Sequence, residues 1–285
     1  MTAINFILDL AALLLVLSWR SVRFDPLNRA VPATLVGTVR RAEPRRLKRW
    51  HFLAGLGLLL LVRALFYWQI GPAVDWTPQV DIGRVVLAFR GDLFRTEILF
   101  SIASFIRAWI ILFTWLLILS VLQGPTANPD PILKLIRLQL GGVARWPAAL
   151  QVLLPGVLAG LIWMLAYPLL ARTEVVHRVS SIPHLFGQAG LVGIETYLSL
   201  KQLLPAILLL HLVSSYVFLG NNPFWDFIGI TGRKILRPLN GIPLRYRRVD
   251  FAPLAGIVLI LLLLEVLPRA VENLLDRQGL SLWPQ

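Results

Sequence analysis

Four ionisable residues lie within apolar stretches of the sequence: Asp9, Arg63, Arg107 and Glu265. A charge at the centre of a bilayer costs ~2.5–3.5 kcal/mol on insertion scales, so such residues pair with one another or meet water rather than lipid. Because there are two acids and two bases, they can neutralise each other, and we expect Arg63 to pair with Asp9 or with Glu265. Pairing would lock a helix bundle, whereas the same charges would line the polar pathway of a transporter, and both interpretations stay open.

Residues that support catalysis or metal binding are sparse. The chain has 4 His and no Cys, which excludes disulfides, thiolate metal sites and iron–sulfur clusters. Only His211 is well inside an apolar stretch, so the paired intramembrane histidines of a b-type haem are missing, and we interpret it as a hydrogen-bonded interior residue. His177 and His184 are separated by Pro183, which is expected to break the helix that would align them as ligands.

The motifs of common enzyme classes are also missing from the sequence. It contains no phosphate-binding Gly loop, no His-Glu-x-x-His and no Gly-x-Ser-x-Gly, and each of these patterns places specific reacting groups at a fixed spacing. We therefore predict a protein that is not an enzyme and has no cofactor, metal or catalytic residue.

The composition is typical of a membrane protein. Hydrophobic residues make up 57% of the 285 residues and charged residues only 15%, and the mean hydropathy is +0.71. Six apolar stretches approach the ~20 helical residues that cross a hydrocarbon core. They run near 4–19, 50–70, 97–122, 147–170, 203–219 and 251–267. We predict an all-α, polytopic membrane protein with six transmembrane helices.

An internal repeat groups the six stretches into three helical hairpins. In each unit an Asp-Pro or Asn-Pro pair follows the first stretch, and an Ala-Gly pair lies in the second. The separation from proline to glycine is 29 residues in the first two units and 33 in the third. The predicted segments are repeat 1 at 1–72, an amphipathic connector at 73–96, repeat 2 at 97–170, an amphipathic connector at 171–202, repeat 3 at 203–268 and a tail at 269–285.

The Asp-Pro and Asn-Pro pairs predict a short helix at the start of each loop. Asp or Asn caps free N–H groups of the first turn, and proline has no N–H to lose there. These helices are predicted to begin at Pro26, Pro131 and Pro223, and the second is predicted to stop at Gly141. Because the second is amphipathic, we expect such helices to lie in the membrane surface.

Small residues four apart occur at matching positions of the second and third repeats. They are Gly156 with Gly160 and Ala252 with Gly256. Small side chains let helix backbones approach closely in a bilayer, where no hydrophobic effect drives helices together. We interpret both pairs as helix-packing contacts.

Basic residues are unevenly distributed along the chain. The loops inside the repeats hold 18 Lys and Arg, against 8 in the connectors and tail. Because excess cations stay in the cytoplasm, we predict that both termini lie outside it. The clusters at 40–49 and 245–248 are also expected to attract anionic lipids. Topology thus explains the net charge of +13, and we predict no nucleic-acid partner.

The third repeat resembles the YggT family, which is called YlmG in Gram-positive bacteria and plastids. In that family a surface helix ending in Leu-Arg-Pro leads to Asp-Phe-Ser-Pro and a second span. Here Leu236-Arg237-Pro238 is followed by Asp250-Phe251-Ala252-Pro253, and the resemblance is clearest over 203–267. It implies a small, non-catalytic membrane protein, whose relatives are linked to cell-division morphology, osmotic tolerance and assembly of b-type cytochromes in chloroplasts.

The motif residues Arg237, Pro238, Asp250, Phe251 and Pro253 have two interpretations. Asp250 can cap the sixth helix with Pro253 in its first turn. Alternatively, Asp250 and Arg237 form a docking surface for a partner.

These observations predict a multi-pass protein of a bacterial inner (plasma) membrane. Its expected role is membrane organisation or the assembly of other membrane proteins, through an unidentified membrane-protein partner. The alternative is a small transporter or channel with a polar site among the intramembrane charges.

Overall fold

The computed structural model describes residues 2–21, 49–71, 73, 76–82, 85–124, 130–176, 182–217, 220, 222–239, 245–246 and 249–277. In this part of the chain the α-helices are α1 Thr2–Ser21, α2 Arg49–Ile70, α3 Phe94–Gln123, α4 Pro131–Leu140, α5 Ala148–Arg172, α6 Ile182–Glu195, α7 Leu200–Tyr216, α8 Pro223–Ile235 and α9 Ala252–Arg277. Two small sheets accompany them, β1 Gln79–Ile82 with β2 Val85–Ala88, and β3 Arg245–Tyr246 with β4 Val249–Asp250.

The mostly helical structure confirms the all-α class. Each of the six predicted apolar stretches coincides with a helix, and the described residues contain five helical segments long and apolar enough to cross a membrane. These are Ala3–Arg20, Arg49–Ile70, Phe94–Gln123, Ala148–Arg172 and Ile182–Tyr216. The apolar part of α9, Ala252–Val266, is shorter. Several long apolar helices are what a membrane protein requires, since ~20 helical residues span the hydrocarbon core.

The two connectors are more regular than an amphipathic or irregular linker. The connector at 73–96 contains β1 and β2, and β1 alternates polar and apolar residues, with Val80 buried between exposed Gln79 and Asp81. An alternation with a period of two favours a strand with one buried face. The exposed polar residues of β1 explain why the sequence of this connector is too polar for a membrane span.

The second connector contains α6. Pro183 is the second residue of α6, where proline lacks only an N–H that would have no partner within the helix. The predicted break between His177 and His184 falls on residues 177–181, which lie outside the described residues. His184 lies in α6, whereas His177 lies outside the described residues. Together with a 3₁₀ turn at Thr196–Ser199 and α7, α6 forms an apolar segment of 35 residues.

Two short helices begin where the proline pairs predict. α4 begins at Pro131 and ends before Gly141, and α8 begins at Pro223. The Asn222 side chain accepts a hydrogen bond from the Phe224 N–H at 3.0 Å, as expected of a cap. Asp130 makes no such side-chain bond, so its predicted cap is wrong and proline alone marks that start. The helix predicted at Pro26 and the basic cluster before residue 49 lie outside the described residues.

The carboxyl end of α3 makes polar contacts with both short helices, α4 and α8. Arg137 of α4 donates to the Gly124 carbonyl at 2.5 Å, and Lys234 of α8 donates to the Gln123 carbonyl. The last carbonyls of a helix have no partner within it, and cations there interact favourably with the helix dipole. The Gln123 amide also donates to the Thr231 hydroxyl at 2.6 Å. α4 and α8 are therefore anchored by polar contacts at one helix terminus.

The chain folds into two compact units. The first comprises Met1–Val80 and Ala88–Trp109, and the second comprises Asp81–Leu87 and Ile110–Gln285. In the second unit a hydrophobic core joins the end of α3 to α4, α7 and α8. Its buried members are Leu117, Leu119, Ile136, Leu140, Ile207, Phe227 and Ile228.

α5 and α6 cross at close range within the second unit. A Cβ atom added to Gly193 would lie 2.7 Å from the Gly156 carbonyl oxygen, and one added to Gly160 would lie 2.9 Å from the Ala189 carbonyl oxygen. The Tyr197 hydroxyl accepts from the Gly156 N–H at 3.2 Å and donates to the Val152 carbonyl. The predicted use of Gly156 and Gly160 in helix packing is confirmed.

The glycine of the other small pair is also closely packed. A Cβ added to Gly256 in α9 would lie 2.7 Å from a methyl group of Leu236 and 3.1 Å from one of Leu208. Ala252, four residues earlier, is half-buried at the start of α9. The small residue at position 256 thus lets α9 approach α7.

Candidate functional site

A buried cluster in the first unit contains two of the four charges singled out in the sequence. Arg63 of α2 is 2% exposed, and its Nη1 atom lies 2.5 Å from Oδ1 of Asp9 in α1. Its Nη2 atom donates to Asn5 Oδ1 at 3.1 Å and to the Ser104 hydroxyl at 2.9 Å. The structure therefore places Arg63 with Asp9, one of the two acids expected to pair with it.

Helix periodicity brings the members of this cluster together. Asn5 and Asp9 are four residues apart on α1, so both side chains lie on one face, and the same holds for Arg63 and Tyr67 on α2. The Tyr67 hydroxyl donates to Asn5 Oδ1 at 2.5 Å, parallel to the Arg63 contact. Asn5 and Tyr67 were missed in the sequence because only charged residues were sought, although the four-residue spacing identifies them.

α3 contributes the third side of the cluster. The Ser104 hydroxyl lies 2.8 Å from Asp9 Oδ2, so it contacts both partners of the ion pair. Phe100 lies one turn earlier, and the centre of its ring is 5.2 Å from the guanidinium carbon of Arg63. A cation over an aromatic ring is stabilised by the ring quadrupole. Arg63 is thus held by an acid, two neutral polar groups and an aromatic face.

Aromatic side chains form the remaining boundary of the cluster. The Tyr67 and Trp76 rings have centroids 4.7 Å apart, and Phe100 lies 5.8 Å from each of them. Phe89 is fully buried, with its ring 5.7 Å from that of Phe100. Large apolar rings exclude water, which strengthens the electrostatic interactions that they enclose.

Glu97 is a further buried acid on the same side of α3. It is 0% exposed, and neither carboxylate oxygen has a hydrogen-bond partner among the described residues. The positive charge of Arg63 acts on it, while Arg63 Nε also has no hydrogen-bond partner within the described part of the chain. Glu97 was treated in the sequence only as the start of a span. Its seven-residue separation from Ser104, two helical turns, is the signal that places both on one face.

The other two predicted network residues have different surroundings. Glu265 of α9 is half-buried, and its carboxylate pairs with Lys201 of α7 and with Arg269 one turn later at 2.5 Å. Neither cation was considered in the sequence, because each lies outside the apolar stretches as they were drawn. Arg107 of α3 is exposed. Of the four charges expected to form one network, Asp9 and Arg63 pair with each other, Glu265 pairs with Lys201 and Arg269, and Arg107 is exposed.

The residues that resemble the YggT motif lie around the start of α9. Arg237 and Pro238 are exposed in a 3₁₀ turn after α8, and Phe251 is 42% exposed directly before α9. Pro253 lies in the first turn of α9, as predicted, and is buried there. Asp250 belongs to β4 and pairs in register with Arg245. The N-cap position of α9 is held by Phe251, so Asp250, the predicted cap, lies one residue before that position.

The cluster of the first unit can hold charge but presents no group of metal ligands. Within the described residues no three His, Cys, Asp or Glu side chains are grouped so as to bind a metal ion. His211 lies in α7, and its ring is close to Gly232 of α8. A Cβ atom added to Gly232 would lie 2.5 Å from Cγ of His211.

The chain matches no protein-family model, no curated protein and no solved structure.

Proposed function

We propose that this chain is a non-enzymatic, multi-pass protein of a bacterial inner (plasma) membrane that organises the membrane or assists assembly of other membrane proteins. The proposal includes six membrane spans in three YggT-like hairpin repeats. Its partners are anionic lipids at the basic loops and a membrane protein that docks on the surface helices, with no role for nucleic acid.

The observation that carries this proposal is the surface platform formed by α4 and α8. The two helices lie against each other and bury Ile136, Leu140, Phe227 and Ile228 in one core. Their outer faces expose Lys134, Leu135, Phe224 and Arg233. A mixture of exposed apolar and basic side chains on amphipathic helices is typical of a surface that binds a partner or lipid headgroups.

The closed Asp9–Arg63 cluster supports a structural role for the intramembrane charges. Both terminal nitrogens of Arg63 are hydrogen-bonded to protein groups, and the residue is 2% exposed. A charge that lines a transport pathway needs access to water or solute. Here the charge joins three helices, which favours a stable scaffold.

Glu97 is the observation that favours the alternative, a small transporter or channel. Its buried carboxylate has no hydrogen-bond partner in the described chain, and buried acids within membrane helices commonly mark proton or ion pathways. An ion flux through reconstituted vesicles that is lost in Glu97→Gln would replace the scaffold proposal with this one.

Site-specific photo-crosslinking in native membranes tests the surface platform. A crosslinker at Leu135, which is 63% exposed, is expected to yield an adduct with a distinct membrane protein. The same crosslinker at Leu133, two residues away and 1% exposed, is the matched control and should yield none, because it faces the core. Adducts with lipid alone at Leu135, or the same adduct at both positions, would contradict docking of a protein partner.

The orientation is tested with a reporter that is active only in the cytoplasm. Fused after Gln285 it is expected to be inactive, because the 18 to 8 excess of Lys and Arg keeps the intra-repeat loops in the cytoplasm. Inserted after Gly124, within such a loop, it should be active and serves as the control. Strong activity at Gln285 would reverse the proposed topology.

A further inference from the structure

A cavity of about 490 Å³ with a mixed polar and apolar lining lies in the second unit, beside the end of α7 and along α8. Sites for small molecules have volumes of ~300–1,000 Å³, so this cavity has the size of a ligand site. It belongs to neither the charge cluster of the first unit nor the Glu265 cluster.

The cavity wall carries charges of both signs. Asp130 and Asp226 contribute carboxylates, Arg233 contributes a guanidinium, and Ser214 contributes a hydroxyl. Asp130 makes no capping bond to its own helix. Arg233 donates from Nε to the Gly229 carbonyl at 3.2 Å, which holds the side chain along α8. A ligand that matches this wall carries a cation and an anion a few bonds apart.

An aromatic ring lies beside the carboxylate that would bind the cation of a ligand. Trp225 lines it beside Asp226, and its ring centroid is 5.0 Å from that of Phe224 in an edge-to-face arrangement. Indole is the aromatic group that attracts cations most strongly. A ligand ammonium at this position would contact both a carboxylate and an aromatic ring.

In the membrane arrangement proposed above, on which this inference rests, the cavity lies at the depth of the headgroup layer. His211 and Ser214 lie in the last two turns of α7, at the end of the apolar segment Ile182–Tyr216. α8 is amphipathic and is expected to lie in the membrane surface, as argued above. Val213 and Tyr216 of α7 are 42% and 54% exposed. Lipid chains would contact this apolar surface directly beside the polar wall.

We propose that this cavity binds the headgroup of phosphatidylethanolamine, a zwitterionic lipid. Asp226 and Asp130 accept hydrogen bonds from the ammonium, and Arg233 donates to the phosphate. The primary ammonium has three donors, whereas the choline headgroup has none and the glycerol headgroup has no cation. The site is therefore selective for ethanolamine over choline and glycerol headgroups.

Native mass spectrometry of the purified full chain tests the site with three lipids of identical acyl chains. We expect tighter binding of phosphatidylethanolamine than of phosphatidylcholine or phosphatidylglycerol. Asp226→Asn should lower the affinity for phosphatidylethanolamine about tenfold and leave phosphatidylglycerol unchanged, because a hydrogen bond to a charged group is lost. Arg233→Gln should lower the affinity for all three lipids by about the same factor, because all three carry the phosphate.

Matched controls and a second variant separate headgroup binding from unfolding. The variants Asp92→Asn and Arg172→Gln remove one negative and one positive charge at exposed positions outside the cavity. Both should bind the three lipids as the unmodified protein does. Asp130→Asn provides an independent test if either α8 variant lowers the melting temperature. Equal affinity for the three lipids, or equal losses in the cavity variants and the controls, would overturn the proposal.

Soluble competitors distinguish a lipid from a free ligand of the same chemistry. Phosphoethanolamine at high concentration should displace phosphatidylethanolamine, and inorganic phosphate should not at the same concentration, because it lacks the ammonium. If free phosphoethanolamine binds as tightly as the lipid, the acyl chains contribute nothing and the lipid assignment fails. Equal displacement by inorganic phosphate would show a phosphate site and would also overturn it.

Discussion

Replacing Arg63 with leucine is expected to destabilise the purified protein by about 3–5 kcal/mol. Arg63 is 2% exposed and donates to Asp9, Asn5 and Ser104. The substitution leaves Asp9 as a largely buried anion without its cation, and removes one hydrogen bond at Asn5 and one at Ser104. Thermal unfolding in mild detergent measures the loss. Arg107→Leu removes an exposed arginine from α3 and serves as the control, with a small effect.

A second substitution at Asp9 should restore part of this stability. In Arg63→Leu with Asp9→Asn the orphaned charge is gone, so the double variant is expected to be more stable than the sum of the two single losses predicts. Glu265→Gln in the Arg63→Leu background should give no such recovery, because Glu265 pairs with Lys201 and Arg269. Strictly additive losses for Arg63 and Asp9 would show that the pair contributes no coupling.

Adding a single methyl group to Gly193 is expected to destabilise the α5–α6 crossing by about 1–3 kcal/mol. Its Cβ would lie 2.7 Å from the backbone oxygen of Gly156, which cannot rotate away as a flexible side chain would. The helices must therefore separate, which also strains the Tyr197 contacts with Gly156 and Val152. Unfolding in detergent measures the effect of Gly193→Ala.

Gly190 provides the matched control on the same helix. It lies one turn earlier on α6, is exposed, and a Cβ added to it meets nothing within 4 Å. Gly190→Ala should be neutral or stabilise the protein by up to ~1 kcal/mol, because alanine loses less backbone entropy in a helix. A loss at Gly190 equal to that at Gly193 would refute the close-contact explanation.

Local signals in the sequence predicted the positions of the helices well. Hydropathy located α1, α2, α3, α5, α7 and the apolar part of α9 but missed α6, and the proline pairs located the starts of α4 and α8. These features depend on a few consecutive residues, since burial in lipid follows side-chain transfer and proline acts on the first turn of its own helix. The same local argument was less successful at Asp130, where whether the carboxylate bonds to its helix depends on its rotamer and on neighbouring groups.

The sequence alone determined that Arg63 needs a buried partner and named Asp9 and Glu265 as the two acids available. Only the tertiary structure decided between them, placed Lys201 beside Glu265, and buried the Glu97 side chain. Charge and hydropathy are properties of single residues, so they can be read in order along the chain. Partner choice between α1, α2 and α3 depends on which helix faces meet after packing, because residues 54 or 95 positions apart become neighbours only through that packing.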